Sequence, residues 1–204
     1  MRMLDNYLKL QKFFDDKAET WRLSDCSEGQ IGRILREVCF QPRDTILDLG
    51  CGTGRILPYI VQTAPQPSNI VGIDLSLNML KSVAWEKRAF CHLAQGLAEE
   101  LPLRDRSVEV IMNYCIFPHF MDKAAVLREY YRVLKSDGRL YIVHPEGIRG
   151  TNRIHRKAGG PVCRHLLPSG DKLGLLLSEA GFSIAKMIDL DDLFFIEARK
   201  VVSC

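Results

Sequence analysis

The chain has 204 residues, 47% hydrophobic and 26% charged, a size and balance that suit one domain with a substantial core. Its net charge of +3 demands no nucleic-acid partner, no run approaches the ~18 apolar residues of a membrane span, and the opening Met1-Arg2-Met3-Leu4 lacks the apolar core of a signal peptide. Seven cysteines, at 26, 39, 51, 91, 115, 163 and 204, form no C-x-x-C pair; an odd, scattered set without a signal reads as the reduced thiols of a cytoplasmic protein.

Residues 4–21 read as a helix, with Leu4, Leu8, Leu10, Phe13, Phe14 and Trp21 set among charges. Ser27 and Gln30 have the spacing of a capping box. The helix they would open carries Ile31, Ile34, Leu35, Val38 and Cys39 on one face. Residues 45–49 are short, apolar and β-prone, as in a buried parallel strand. Gly50, Gly52 and Gly54 follow at alternate positions, where the backbone can turn sharply and lie close to a ligand. Ile56 then begins a helical pattern. Strand, glycine turn and helix form a nucleotide-binding arrangement, with free backbone N–H groups at the helix start. The dinucleotide fingerprint G-x-G-x-x-G is not met, because its third glycine would stand at Arg55. Residues 69–74 are a second buried strand ending in Asp74, 24 residues after Gly50 (74 − 50). That is the place of a ribose-binding acid, and a carboxylate can accept from both ribose hydroxyls.

Ser76 caps the next helix, which runs through Met79, Leu80 and Val83 to about residue 87. Residues 90–95 and 108–113 are the third and fourth strands, separated by a turn at Asp105, Arg106 and Ser107. The loop from Asn113 to Phe120 lies beyond the carboxyl end of strand four, where open α/β sheets bind ligands. Asp122 caps a helix with Val126, Leu127, Tyr130, Tyr131 and Leu134 inward, and Gly138 fits its stop. The fifth strand ends at His144 and Pro145. Residues 171–180 form a helix with Leu173, Leu176, Leu177 and Ala180 inward, ended by Gly181. Residues 182–189 and 193–200 read as an antiparallel pair joined by a short acidic turn.

Asp48-x-Gly50-x-Gly52-x-Gly54 resembles motif I, D-x-G-x-G-x-G, of the class I S-adenosylmethionine (SAM) methyltransferases. The resemblance implies that Asp48 sits beside the methionine end of SAM and that Gly50, Cys51, Gly52 and Gly54 lie against its amino acid and ribose. It places Asp74, with Leu75 and Met79, at the ribose and brings Asn113 and Cys115 to the cofactor. Residues 96–102 resemble the family's G-D-A-E-x-L-P loop, with Leu97 where the family has an acid, leaving the Ala98 N–H and Glu99 for adenine. Residues 132–140 resemble its R-V-L-K-P-G-G-x-L turn, with Ser136 and Asp137 in place of Pro-Gly. Trp21 fits either a helical lid over the cofactor or a core aromatic.

The fold so implied is α/β: a Rossmann-like class I methyltransferase fold with a seven-stranded, mostly parallel sheet, an antiparallel last strand and helices on both faces. Residues 1–40 would be a helical cap and 145–170 a substrate-side insertion of one domain. The activity implied is methyl transfer from SAM to a small molecule, in the ubiquinone/menaquinone biosynthesis-type (methyltransferase type 11-like) branch.

Four of the five histidines, at 119, 144, 155 and 165, fall in segments expected around the acceptor. His119 and His144 follow strands four and five and are the catalytic candidates, as bases near neutral pH or as loop-anchoring hydrogen-bond partners. No pair has i, i+4 ligand spacing, so no metal is expected. Between Glu146 and Asp171 there is no acid, while Arg149, Arg153, Arg156, Lys157 and Arg164 occur. Arg153, His155 and Arg156 are candidates for holding a carboxylate or phosphate on the acceptor; the alternative is a solvated surface loop. Two rival functions are a noncatalytic SAM-binding or sensing protein and an NAD-dependent oxidoreductase, the latter disfavoured by Arg55 and the terminal hairpin. A nucleic-acid methyltransferase would need an extended basic surface.

Overall fold

The structure, a computed structural model, describes residues 2–21, 28–67, 69–84 and 91–201. Five strands run parallel: β1 (Thr45–Leu49), β2 (Asn69–Asp74), β3 (His92–Gln95), β4 (Val108–Tyr114) and β5 (Leu134–His144). The closing hairpin is β6 (Phe182–Leu190) and β7 (Leu193–Lys200), with β7 antiparallel to both β5 and β6. The order is β3-β2-β1-β4-β5-β7-β6, the expected fold class. The helices are α1 (Arg2–Trp21), α2 (Glu28–Arg36), α3 (Leu57–Thr63), α4 (Leu77–Lys81), α5 (Lys123–Val133), α6 (Ile148–Ala158) and α7 (Gly170–Glu179), with 3-10 turns at Phe117–His119 and Gly160–Arg164.

The central strands are apolar on both faces because each face is covered. Val110, Met112, Tyr141 and Val143 face α2 and α3, where Ile34, Leu35, Leu57 and Ile60 are buried. Their neighbours Ile111, Leu140 and Ile142 face α5 and α7, where Val126, Leu127, Leu173 and Leu177 are buried. The period of two along each strand thus sorts the side chains into two cores.

Several boundaries differ from the sequence reading. α2 ends at Arg36, so Val38 is buried but Cys39 is exposed, and Phe40 takes the inward place. α5 stops at Val133, and Leu134 is already extended, its N–H bonded to the Tyr130 carbonyl. Gly138 is therefore not the helix stop. Leu134 pairs with Val108 and Arg139 with Val110, so residues 135–138 bulge out between them. A Cβ on Gly138 would lie 2.7 Å from the Leu134 side chain and 2.9 Å from the Lys135 carbonyl, so the bulge has room only for glycine. The hairpin turn is Asp191 and Asp192 alone, because β6 runs on to Leu190. α4 ends at Lys81 with Ser82 as its cap, so the helix expected to reach about residue 87 is shorter and Val83 lies beyond it; Ser27 of the expected capping box and Phe90 lie outside the described residues.

One of the motif residues, Arg132, works structurally. Arg132 donates to the carbonyls of Leu101 (3.1 Å) and Leu103 (2.8 Å) and to Asp105 (2.7 Å) and Glu129 (2.7 Å). Glu129 in turn accepts the Leu101 N–H at 2.8 Å. Together they pin the loop between β3 and β4 against the C-terminal end of α5.

Candidate active site

The glycine turn is drawn onto β2, since the Gly50 and Cys51 N–H groups both donate to the Ile73 carbonyl, at 2.7 and 3.2 Å. Gly50 has φ +69°, and a Cβ there would sit 2.4 Å from Ile116. Gly52 has φ +54°, and a Cβ would meet nothing within 4 Å, because that side is open cavity. Asp74 braces the turn. Its Oδ2 accepts the Gly52 N–H at 2.8 Å and its Oδ1 the Ser76 N–H at 2.8 Å. Ser76 caps α4 through the Met79 N–H at 3.1 Å, as expected.

Asp48 lies behind the turn, buried, and its Oδ2 has no hydrogen-bond partner among the described residues. Burial, with the nearby charge of Asp74, pushes its carboxyl up to about 8. Burial also raises Asp74, against the backbone N–H groups of Ser76, Gly52 and Leu75, which favour its ionised form.

A cavity of ≈ 390 Å³ opens at the carboxyl ends of the strands, within the range of ligand pockets. Gly50, Cys51, Gly52 and Asp74 form its floor, and Leu75, Met79, Leu97, Ala98 and Glu99 line one end. α1 roofs it. Tyr7 Oη donates to Glu99 Oε1 at 2.5 Å. Asp15 Oδ1 accepts from Ser76 Oγ at 2.5 Å and from the Asn78 N–H at 3.1 Å. Trp21 is 39% exposed, lines the cavity and meets Phe14 edge-on at 5.9 Å, so it sits in the lid and not in the core.

Cys115, His119, His144 and His155 line the other end. Cys115 has φ +60°, and its N–H donates to the Val143 carbonyl at 2.9 Å, tying the ends of β4 and β5 together.

Five expected site residues do not line the cavity. Asp48 stands behind the glycine turn. Gly54 is a packing glycine, with a Cβ position 2.9 Å from Leu57 and 3.1 Å from Val83. Asn113 is fully buried and donates to Tyr130 Oη at 2.6 Å, bracing α5. Arg153 and Arg156 are exposed. α6 turns Thr151, Ile154, His155 and Ala158 to the cavity, at i, i+3, i+4 and i+7, which leaves both arginines off that face. The anion-holding role expected of them does not match this placement.

The histidines form a cluster. His119 meets Phe14 edge-on at 5.2 Å and leans on His155 at 4.8 Å between ring centroids. Its Nδ1 is 3.3 Å from Nδ1 of His165. His144 is 2% exposed, and its Nε2 has no partner among the described residues. Burial, followed by His155, His165, His144 and Lys123, holds His119 well below the ordinary imidazole range. Burial and His155 push His144 down to about 3. Both rings are neutral near pH 7. Among the described residues no group of three or more His, Cys, Asp or Glu side chains is placed to hold a metal ion.

The sequence reading missed Tyr7, Phe13, Thr151, Ile154 and Val162, all of which line the cavity. For Thr151 and Ile154 a signal was present: with His155 and Ala158 they are the weakly polar stripe of an otherwise cationic helix.

A family model described as a methyltransferase domain matches residues 47–142. Malonyl-[acyl-carrier protein] O-methyltransferase of Marinomonas sp. is 32% identical over 139 residues, covering 66% of this chain and 50% of that protein. Demethylmenaquinone methyltransferase of Thermotoga maritima is 36% identical over 126 residues, covering 60% and 54%. The chain thus spans about half the length of these relatives. The crystal structure of a SAM-dependent methyltransferase from Aquifex aeolicus superposes with a TM-score of 0.72 at 23% identity, over 92% of this chain and 98% of that one. No helix among the described residues is long and apolar enough to cross a membrane.

Proposed function

We propose that this chain, a member of the class I SAM-dependent methyltransferase fold family, binds SAM at the carboxyl ends of β1, β2 and β3. Its methyl group then goes to a small-molecule acceptor held between the histidine cluster, α1 and α6. The observation that carries this reading is the Asp74 carboxylate, which lines the cavity while bracing the open Gly52 turn. Each of its oxygens holds one backbone donor, leaving a lone pair on each for the ribose hydroxyls.

The residues present fit the cofactor. The Gly52 backbone is bare toward the cavity. Asp48 keeps a buried carboxyl oxygen without a partner behind the turn, on the side assigned to the methionine end. Leu75, Met79, Leu97 and Ala98 give apolar walls for adenine, and Glu99 adds an acceptor fixed by Tyr7. When bound, SAM supplies a methyl group already activated by its sulfonium. The chain's own task is then alignment and exclusion of water. α1 serves both, because Tyr7 and Asp15 clamp it across the cavity mouth.

The names of the relatives divide between O-methylation of an acyl-carrier-protein ester and methylation of demethylmenaquinone. The menaquinone-type branch expected from the motifs is therefore not singled out, and we take the acceptor class from the cavity. Arg153 and Arg156 lie outside it, which favours an uncharged acceptor over an anionic one. An NAD-dependent reading gains nothing from Arg55 in the turn or from the antiparallel β7. Calorimetry is expected to give SAM binding with NAD binding at least ~10-fold weaker, and a metabolite screen with methyl-labelled SAM is expected to label one small molecule. Tighter binding of NAD than of SAM overturns the reading.

A further inference from the structure

The histidine cluster contains one ring whose tautomer is set by its partner. His155 lies on the cavity face of α6, one turn on from Thr151. Its Nδ1 is in hydrogen-bond contact with the backbone carbonyl of His165. A carbonyl can only accept, so in the neutral ring Nδ1 carries the hydrogen and Nε2 keeps the lone pair. The contact is held by a clasp. Asn152, on the same helix, donates to the Leu167 carbonyl at 3.0 Å and accepts the Leu167 N–H at 2.7 Å. The backbone two residues beyond the imidazole's contact is thus fixed against α6.

We infer that His155 Nε2 is the proton-accepting group for the acceptor, that the His165 carbonyl holds the ring in the tautomer this needs, and that the acceptor is an uncharged, largely apolar molecule with an acidic hydroxyl, such as a phenol or enol. The inference rests on the methyltransferase reading above.

Four observations support it. The cavity that His155 lines is also lined by Phe13, Phe14, Ile154, Ala158 and Val162, which favour an apolar body. The titratable groups near the ring are His119, His144 and His165, with Lys123 beside His119 and His165 and with Lys17, Arg55, Asp74, Glu99 and Glu146 in the same cavity. His119 and His144 are too deeply buried to hold a proton near neutral pH; His144 Nε2 serves instead as a neutral hydrogen-bonding group for the acceptor's oxygen. His155 is only half-buried, and its Nδ1–H bond to the carbonyl strengthens when the ring becomes cationic.

In the reaction the acceptor's O–H bond breaks, its proton goes to Nε2, and its oxygen gains the methyl group. The positive charge given up at sulfur reappears on the imidazolium, so atoms and charge balance. An imidazole base suits an acidic hydroxyl far better than an aliphatic alcohol, because transfer is efficient when donor and base are matched.

Two measurements test this. The first uses ¹⁵N-histidine-labelled protein without SAM, with His155 assigned through bonds from its backbone. Long-range proton–nitrogen spectra are expected to show Nδ1–H with a bare Nε2; the opposite tautomer overturns the inference. The second supplies naphthol or hydroxynaphthoate with methyl-labelled SAM. Naphthol is expected to be labelled at least ~10-fold faster. His155→Gln is expected to lower that rate by roughly 10²–10⁴-fold, with SAM affinity within about two-fold by calorimetry. Faster labelling of hydroxynaphthoate, labelling of neither compound by protein that binds SAM, or a His155→Gln rate within about three-fold of wild type overturns the inference and leaves the SAM reading standing. Wild-type protein that binds no SAM removes both.

Discussion

Asp74→Ala separates the two jobs this carboxylate holds. In the free protein it accepts the Gly52 and Ser76 N–H groups, both at 2.8 Å. Removing it leaves two backbone donors without their acceptor at a site where Asp74 is 9% exposed. Each such loss costs about 1–3 kcal/mol, so urea unfolding is expected to show a stability loss of roughly 2–6 kcal/mol. The ribose hydroxyls lose a charged acceptor as well, worth roughly 1.5–3 kcal/mol. At 1.4 kcal/mol per decade this is about a 10- to 150-fold weaker Kd for SAM. Ser76→Ala provides the control. It removes the cap on α4 and one of the two Asp15 contacts but leaves the carboxylate, so it is expected to cost about 1 kcal/mol of stability with SAM affinity within about five-fold. Calorimetry at a temperature where unfolding curves show all proteins folded reads the affinities. A folded Asp74→Ala protein with wild-type SAM affinity removes the ribose assignment, and equal SAM losses in the two variants reduce Asp74 to a turn brace.

Asp48 binds its proton more tightly in the native state, with a carboxyl at about 8 against 3.8, so its cost to stability grows as pH rises from about 4 to about 8 and is level above that. Asp48→Asn is expected to raise stability by roughly 1–3 kcal/mol at about pH 8.5 and by little at about pH 4; urea curves with the same pH dependence in both proteins contradict this. Arg139 Nη2 bonds both Asp44 oxygens, at 2.7 and 2.8 Å, in a buried pair, so Arg139→Met is expected to cost about 3–5 kcal/mol. A loss under ~1 kcal/mol in urea unfolding contradicts that burial cost. Asp15→Ala frees α1 from Ser76 and Asn78 and is expected to speed SAM dissociation about five-fold, for a contact worth ~1 kcal/mol. Stopped-flow release at the wild-type rate denies α1 its lid role.

The sheet was legible because its strands are buried on both faces and stand as apolar runs between turn residues, as at Ile46 and Leu47 or Ile70 and Ile73. Helix ends were less so. The pattern around residues 132–138 reads as a helix running to a glycine stop, yet Leu134 is drawn into the sheet by its pairing with Val108. That pairing depends on a residue 26 positions away, so local propensity gave no sign of it. Cys39 failed for a related reason: its helical phase was right, but the helix had ended at Arg36.

The glycine-turn end of the cavity was legible because it is made of local devices. A glycine turn and an acid at a strand end sit within one supersecondary unit, and their spacing carries their geometry. The acceptor side depends on the phase of α6 instead. Counting cations between residues 146 and 171 pointed to Arg153 and Arg156, whereas the stripe Thr151, Ile154, His155, Ala158 names the face that meets the cavity. The histidines sharpen the point. Chain order brings His119 and His144 to the ends of β4 and β5, which is why they stood out as bases. Position decides only which rings are near a ligand. The burial that brings these two closest also denies them a proton, while His155, half-buried and held by a carbonyl ten residues further on, keeps a lone pair that can take one.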